Sequence, residues 1–93
     1  MPEMYFHVRW PDGVSHRFYS PSTVIEDYLR PGSEYRIDDF LERGKSALGV
    51  ASDRVAAIHG VPCGRARATV AELDRAATGA AGDSTVVVER FER

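Results

Sequence analysis

An alternation of apolar and polar side chains near the N-terminus constrains this chain more than any other feature. Met4, Phe6, Val8 and Trp10 interleave with Tyr5, His7 and Arg9, the period-two pattern of a strand with one buried face. Pro11-Asp12-Gly13 follows. Proline presets φ for a turn, aspartate bonds the turn backbone, and glycine accepts a left-handed conformation. Val14 to Tyr19 then reads as the return strand of a hairpin. With Trp10 opposite Val14, Val8 faces His16 and Phe6 faces Phe18. Met4, Phe6, Val8, Trp10, Val14, His16 and Phe18 then share one face. A slip of one residue would set Arg17 opposite Val8 and carry charge into that face. The first register is therefore the expected one.

Helical signals fill the middle of the chain. Ser20-Pro21-Ser22 ends the strand and opens a short helix, with Ser20 as cap and Pro21 in the first turn. Val24, Ile25, Tyr28 and Leu29 lie on its apolar side, and Pro31-Gly32 stops it. A connector through Tyr35 and Ile37 leads to Asp38-Asp39, a cap and negative first turn for the longest helix. That helix runs to about His59, with Phe40, Leu41, Leu48, Ala51, Val55 and Ile58 as its stripe. Gly44 and Ala47 leave room for a close neighbour. A further helix spans about Arg65 to Ala77, with Val70, Leu73 and Ala77 inward. Thr78 to Asp83 reads as a flexible link, and β-branched Thr85 to Phe91 as a last strand beside one of the first two.

The order is β-β-α-α-α-β. A hairpin alone is marginal, so a small antiparallel sheet of about three strands with helices on one face is the simplest closed solution. The fold class is α+β, and residues 1–93 are expected to form a single domain. A chain of this mass buries about 64% of its unfolded surface, enough for one modest core.

Charge and composition narrow the function. Twelve basic and 14 acidic residues give a net charge of −2, which supplies no global field for nucleic acid or an anionic membrane. No apolar run is long enough to span a bilayer and no secretory leader is read, so a cytoplasmic setting is expected. The lone Cys63 fits a reducing compartment. Cys63 and His59 are four apart, the pairing a thiol and its base would need, and they are the candidates for a small enzyme or redox protein. Gly60 and Pro62 interrupt the helix between them, so a structural Cys63 is the simpler reading. His7, His16 and His59 form no paired metal motif, no cofactor fingerprint is present, and neither metal nor cofactor is expected. The helix pair over 38–77 could also be read as a DNA-binding unit, with Arg65, Arg67 and Arg75 on the second helix. Its basic residues are too dispersed for that reading to lead, and nucleic acid is not the expected partner.

What remains is a surface. The expected register puts Tyr5, His7, Arg9, Arg17 and Tyr19 together on the sheet face opposite the core. Tyrosine and arginine anchor interfaces because they join large apolar area to directional hydrogen bonds. These five are the candidate binding residues, for a protein or peptide partner or for a second copy in a homodimer. Val86, Val87 and Val88 cannot all point one way, which suggests cover on both faces of the last strand.

Several strings are also familiar: VRWPDG at Val8 to Gly13, YSPS at Tyr19 to Ser22, and DYLRPG at Asp27 to Gly32. DDFL at Asp38 to Leu41 and ASDRV at Ala51 to Val55 join them. With the opening Met1 to Met4, they resemble a family of short bacterial nitrogen-starvation response proteins encoded in nitrilase-type gene clusters. The resemblance covers about residues 1 to 77 and leaves 79–93 unplaced. It implies a cytoplasmic accessory to nitrogen metabolism, encoded beside a nitrilase-like hydrolase, a radical-SAM protein, an acetyltransferase and a flavoprotein. It carries over no catalytic residue. With no catalytic constellation among the residues, a non-catalytic accessory or binding module is expected.

Overall fold

The alternating run and its return form β1 (Met4–Arg9) and β2 (Ser15–Ser20) in a computed structural model that describes residues 3–61 and 64–93. Phe6 stands opposite Phe18, Val8 opposite His16 and Tyr5 opposite Tyr19, the phasing that the alternation predicts. The turn closes as the Trp10 N–H donates to the Val14 carbonyl at 3.0 Å. Gly13 sits at φ 84°, where a side chain would cost about 1–2 kcal/mol. Sharing the inner face does not guarantee burial. Met4, Phe6 and Val8 are fully buried, whereas Val14 is 48% exposed and His16 is exposed. Val14 lies in the turn before the edge strand and His16 near its start, and an open cavity separates His16 from the last turns of α2.

The segment after β2 is a 3-10 helix, Thr23–Asp27, and its cap is Ser22 rather than Ser20. The Ser22 hydroxyl accepts from the Val24 N–H at 3.3 Å, while the Ser20 hydroxyl donates to the Ser22 carbonyl at 2.7 Å. This short element still buries Val24 and Ile25.

Among the described residues the sheet has four strands where the alternation predicts about three. The added one, β3 (Glu34–Arg36), occupies the expected connector. Its three residues show no readable period, and pairing with a partner strand defines it. That partner is β4 (Thr85–Glu92), which lies beside β1 on its other side. The order is β2-β1-β4-β3, with every pair antiparallel.

The two α-helices are α1 (Ile37–His59) and α2 (Gly64–Ala77). Helix α1 begins one residue before Asp38-Asp39, and its N-cap, Arg36, makes no side-chain cap bond. A helix start leaves N–H groups without partners of its own. Here the Ile37 N–H donates to the Ser84 carbonyl at 2.8 Å and the Asp38 N–H to Gly82 at 3.2 Å. The link expected to be flexible is thus fastened to the helix start. Asp38 instead accepts from the Asp39 N–H at 2.7 Å and from Arg36 at 3.0 and 3.2 Å, and these bonds hold its carboxyl below the usual range.

Both helices pack on one face of the sheet, giving the α+β class that the pattern predicts. Phe6, Phe40, Leu48, Leu73, Val86 and Val88 are buried between the layers. Each such side chain contributes about 1.5–3 kcal/mol by leaving water. Gly44 is buried where α1 meets α2, and a Cβ there would make only an ordinary van der Waals contact with Leu73 Cδ1 at 3.5 Å. The α1 stripe is shorter than its spacing predicts. Burial stops at Ala51, Leu41 and Val55 are half-buried, and Ile58 is 63% exposed. The helix is about 35 Å long at 1.5 Å per residue, and its last two turns bury no side chain. Among the described residues no helix is long and apolar enough to cross a membrane.

Candidate binding face

Hairpin phasing places Tyr5, His7, Arg9, Arg17 and Tyr19 on the sheet face opposite the buried core, with α2 coming against its β2 edge. Tyr5 pairs with Tyr19 and His7 with Arg17 across the two strands. The tyrosine rings meet edge to face, centroids 5.9 Å apart at 69°. Arg17 lies over the Tyr5 ring with its guanidinium carbon 4.2 Å from the centroid. Such stacking fixes a long, flexible cation in one place by attraction to the ring's negative face.

Helix α2 contributes a cation that the alternation could not reveal. Arg65, in its first turn, lies 3.7 Å over the Tyr19 ring and 3.6 Å from the Glu3 carboxylate. The Tyr5 hydroxyl beside it, with the two tyrosines and Glu3, raises its already high pKa. Two tyrosines are therefore each faced by an arginine, one from the sheet and one from a helix. Tyr5, Arg17, Tyr19 and Arg65 border a cavity of about 280 Å³ that Thr69 and Glu72 complete.

Strand β4 brings acids to a face expected to be aromatic and basic. Between His7 and Val8 the β1–β4 register shifts: His7 opposes Arg90 and Val8 opposes Val88, leaving Glu89 as an extra residue. A bulge of this kind adds one side chain and bends the strand without disturbing the pairing on either side. Val88 before it is buried and Phe91 after it still packs against the core. Glu89 consequently reaches outward to Arg9 at 2.9 Å and accepts from the Ser15 hydroxyl at 2.7 Å. Glu92 sits 2.8 Å from His7 Nε2 and 3.8 Å from Arg17. Both carboxyls are held below their ordinary value, Glu89 chiefly by Ser15 and then Arg9, Glu92 chiefly by His7 and then Arg17. Val87, the middle valine, is half-buried on this side. The face is thus charge-balanced along β4 and cationic toward α2.

The other candidates fall elsewhere. His59 is exposed in the last turn of α1, and the chain then turns at Gly60 with φ 82°. Cys63 lies outside the described residues. In the helix pair, Thr69 is buried with its hydroxyl donating to the Arg65 carbonyl at 3.1 Å, which satisfies the one polar group where the spacing expects an apolar one. Arg65, Glu89 and Glu92 were not legible as members of the face, because each reaches it through a tertiary contact.

Comparison with the curated proteins and with the solved structures finds no significant match. A family model does match, over residues 5–91, a span that includes all five hairpin residues, Arg65 and the bulge at Glu89. That span carries the sequence resemblance through the last strand, and the chain belongs to the family of the nitrogen starvation-induced protein NitG.

Proposed function

We propose that this chain is a non-catalytic accessory module of the nitrogen-starvation response that engages a protein or peptide partner in the cytoplasm. The observation that carries the reading is the pair of tyrosine–arginine stacks on the sheet face opposite the core, one arginine coming from β2 and the other from the first turn of α2. Half-buried aromatic rings braced by exposed guanidinium groups are preorganised contact area, so little side-chain freedom is lost when a partner arrives. The partner is drawn from a nitrilase-type pathway, as the sequence resemblance implies.

The test is direct binding between the purified chain and each of the purified nitrilase-like hydrolase, radical-SAM protein, acetyltransferase and flavoprotein, under reducing conditions. One of them is expected to bind, and Tyr19→Ser with Arg17→Glu should weaken it by about tenfold or more. Failure of all four to bind removes the reading. A second copy is the competing occupant, favoured by the mixed charge that Arg9, Glu89, His7 and Glu92 give the β4 side. Sedimentation decides between them, since a persistent species of 10.3 kDa excludes the homodimer.

A further inference from the structure

The cavity beside Tyr5 and Arg65 does not end there. A second cavity, of about 360 Å³, shares Arg17 and Glu72 with it and continues past His16 and Phe18 to Arg75 and Ala76. On the helix side the lining residues of the two are 65, 68, 69, 72, 75 and 76. Steps of three and four residues make one continuous stripe of α2. On the strand side the lining runs along β2, an edge strand, and among the described residues no backbone hydrogen bond joins β2 to α2. Tyr5, Arg17 and Tyr19 come from one face of the sheet and His16 and Phe18 from the other, so the two cavities, which meet at Arg17 and Glu72, follow the open edge of β2 as one groove. From Arg65 to Ala76 it is about 17 Å long at the helical rise, the span of about five extended residues.

Its charge is opposite to that of the whole molecule. The chain carries −2, yet among the described residues the groove is lined by Arg17, Arg65 and Arg75 against one carboxylate, that of Glu72. The intrachain acids leave much of that cationic character unused. Glu3 stands 3.6 Å from Arg65 and Glu92 3.8 Å from Arg17, beyond the ~2.7–2.9 Å of a charge-assisted hydrogen bond. Each guanidinium has five N–H donors in a fixed fork that matches a carboxylate. The tyrosine rings behind Arg17 and Arg65 hold those forks in place.

We infer that the groove between β2 and α2 receives an extended acidic peptide, with a carboxylate set between Arg17 and Arg65. This rests on the partner-binding reading above and narrows it to a ligand class and a location. The apolar floor at Phe18, Ala68 and Ala76 takes the intervening side chains, while Glu72 disfavours a ligand with two adjacent acids at the midpoint.

The probe is acetyl-Val-Glu-Val-Glu-Val with a free C-terminus, titrated into the isotope-labelled full chain and followed by backbone amide shifts. Shifts are expected at residues 15–20 and 65–76, with affinity falling as salt is raised. The lysine counterpart of the peptide should not bind. The C-terminally amidated peptide separates the two sources of carboxylate: unchanged affinity assigns the anchor to a glutamate side chain, a large loss to the terminus. Arg17→Glu with Arg65→Glu should weaken binding at least about tenfold, and Arg54→Glu, on the exposed end of α1, should leave it unchanged. Glu72→Lys should tighten binding, a gain that a folding defect cannot mimic. Shifts confined to residues 7–9 and 87–92 overturn the groove while leaving the partner-binding face intact. No binding of either acidic peptide at millimolar concentration also overturns it, whereas the partner-binding reading itself is judged by the four pathway proteins.

Discussion

His7 and Glu92 lie 85 positions apart in the chain and 2.8 Å apart in the fold. The pair is partly exposed, so its worth lies more in orienting the face than in holding the molecule together. It nevertheless has a pH signature. Glu92 is held below its ordinary value of 4.5 by His7 first, then by Arg17 and Arg90. A depressed folded value means that the stabilisation is complete above 4.5 and is lost as pH falls through the folded value. Glu92→Gln should therefore melt below the parent chain at neutral pH, and the gap should close as the pH is lowered beneath 4.5. A gap that widens on acidification would refute the pairing. Core residues act on a larger scale. Phe40 is fully buried and meets Trp10 edge to face, centroids 5.8 Å apart at 88°. Phe40→Ala should cost about 3–5 kcal/mol, read by denaturant unfolding, a large share of the ~5–15 kcal/mol that a domain of this kind holds. A loss below about 1 kcal/mol would show that the site repacks.

At the scale of elements, the bulge in β4 gives the sharpest contrast. Glu89 is the extra residue between Val88 and Arg90, so removing it restores plain alternation with Val86, Val88 and Phe91 inward. Deletion of Glu89 should leave the fold and its cooperative melting intact, at the loss of the Arg9 and Ser15 contacts. Deletion of Val87 should abolish folding, because it turns Val86 out of the core. Circular dichroism melts of the two variants check this, and equal damage from both would place the bulge elsewhere. Legibility differs by element for a physical reason. The hairpin was readable because its period-two pattern and its turn are local properties. The three-residue β3 was not, because Glu34, Tyr35 and Arg36 become a strand only by bonding to β4. The cap at Ser22 and the start of α1 at Ile37 shifted for a similar cause, since neighbouring backbone groups compete for the same donors.

For the whole molecule, the last strand closes the fold although it is the part that the resemblance left unplaced. It sits between β1 and β3, and the residues just before it accept the first N–H bonds of α1. Ending the chain after Thr78 should leave β3 without a partner, β1 paired on one side and the start of α1 uncapped. The shortened chain is expected to lose its cooperative thermal transition, and a retained transition would mean that the hairpin and helices form a core without β4. The candidate face follows the same logic. Its five hairpin residues were readable from alternation alone, while Arg65 arrives from α2 and the two glutamates from β4.

Alternation, turn chemistry and helix spacing act over a few residues, and by themselves they determined the hairpin register, the two helices, the α+β class and which hairpin side chains face away from the core. Which strand neighbours which, where a helix outruns its cover at Ile58, and how acids and a helical arginine meet the tyrosines were decided only in the tertiary structure. These outcomes depend on contacts between groups tens of residues apart, whose geometry no local pattern encodes.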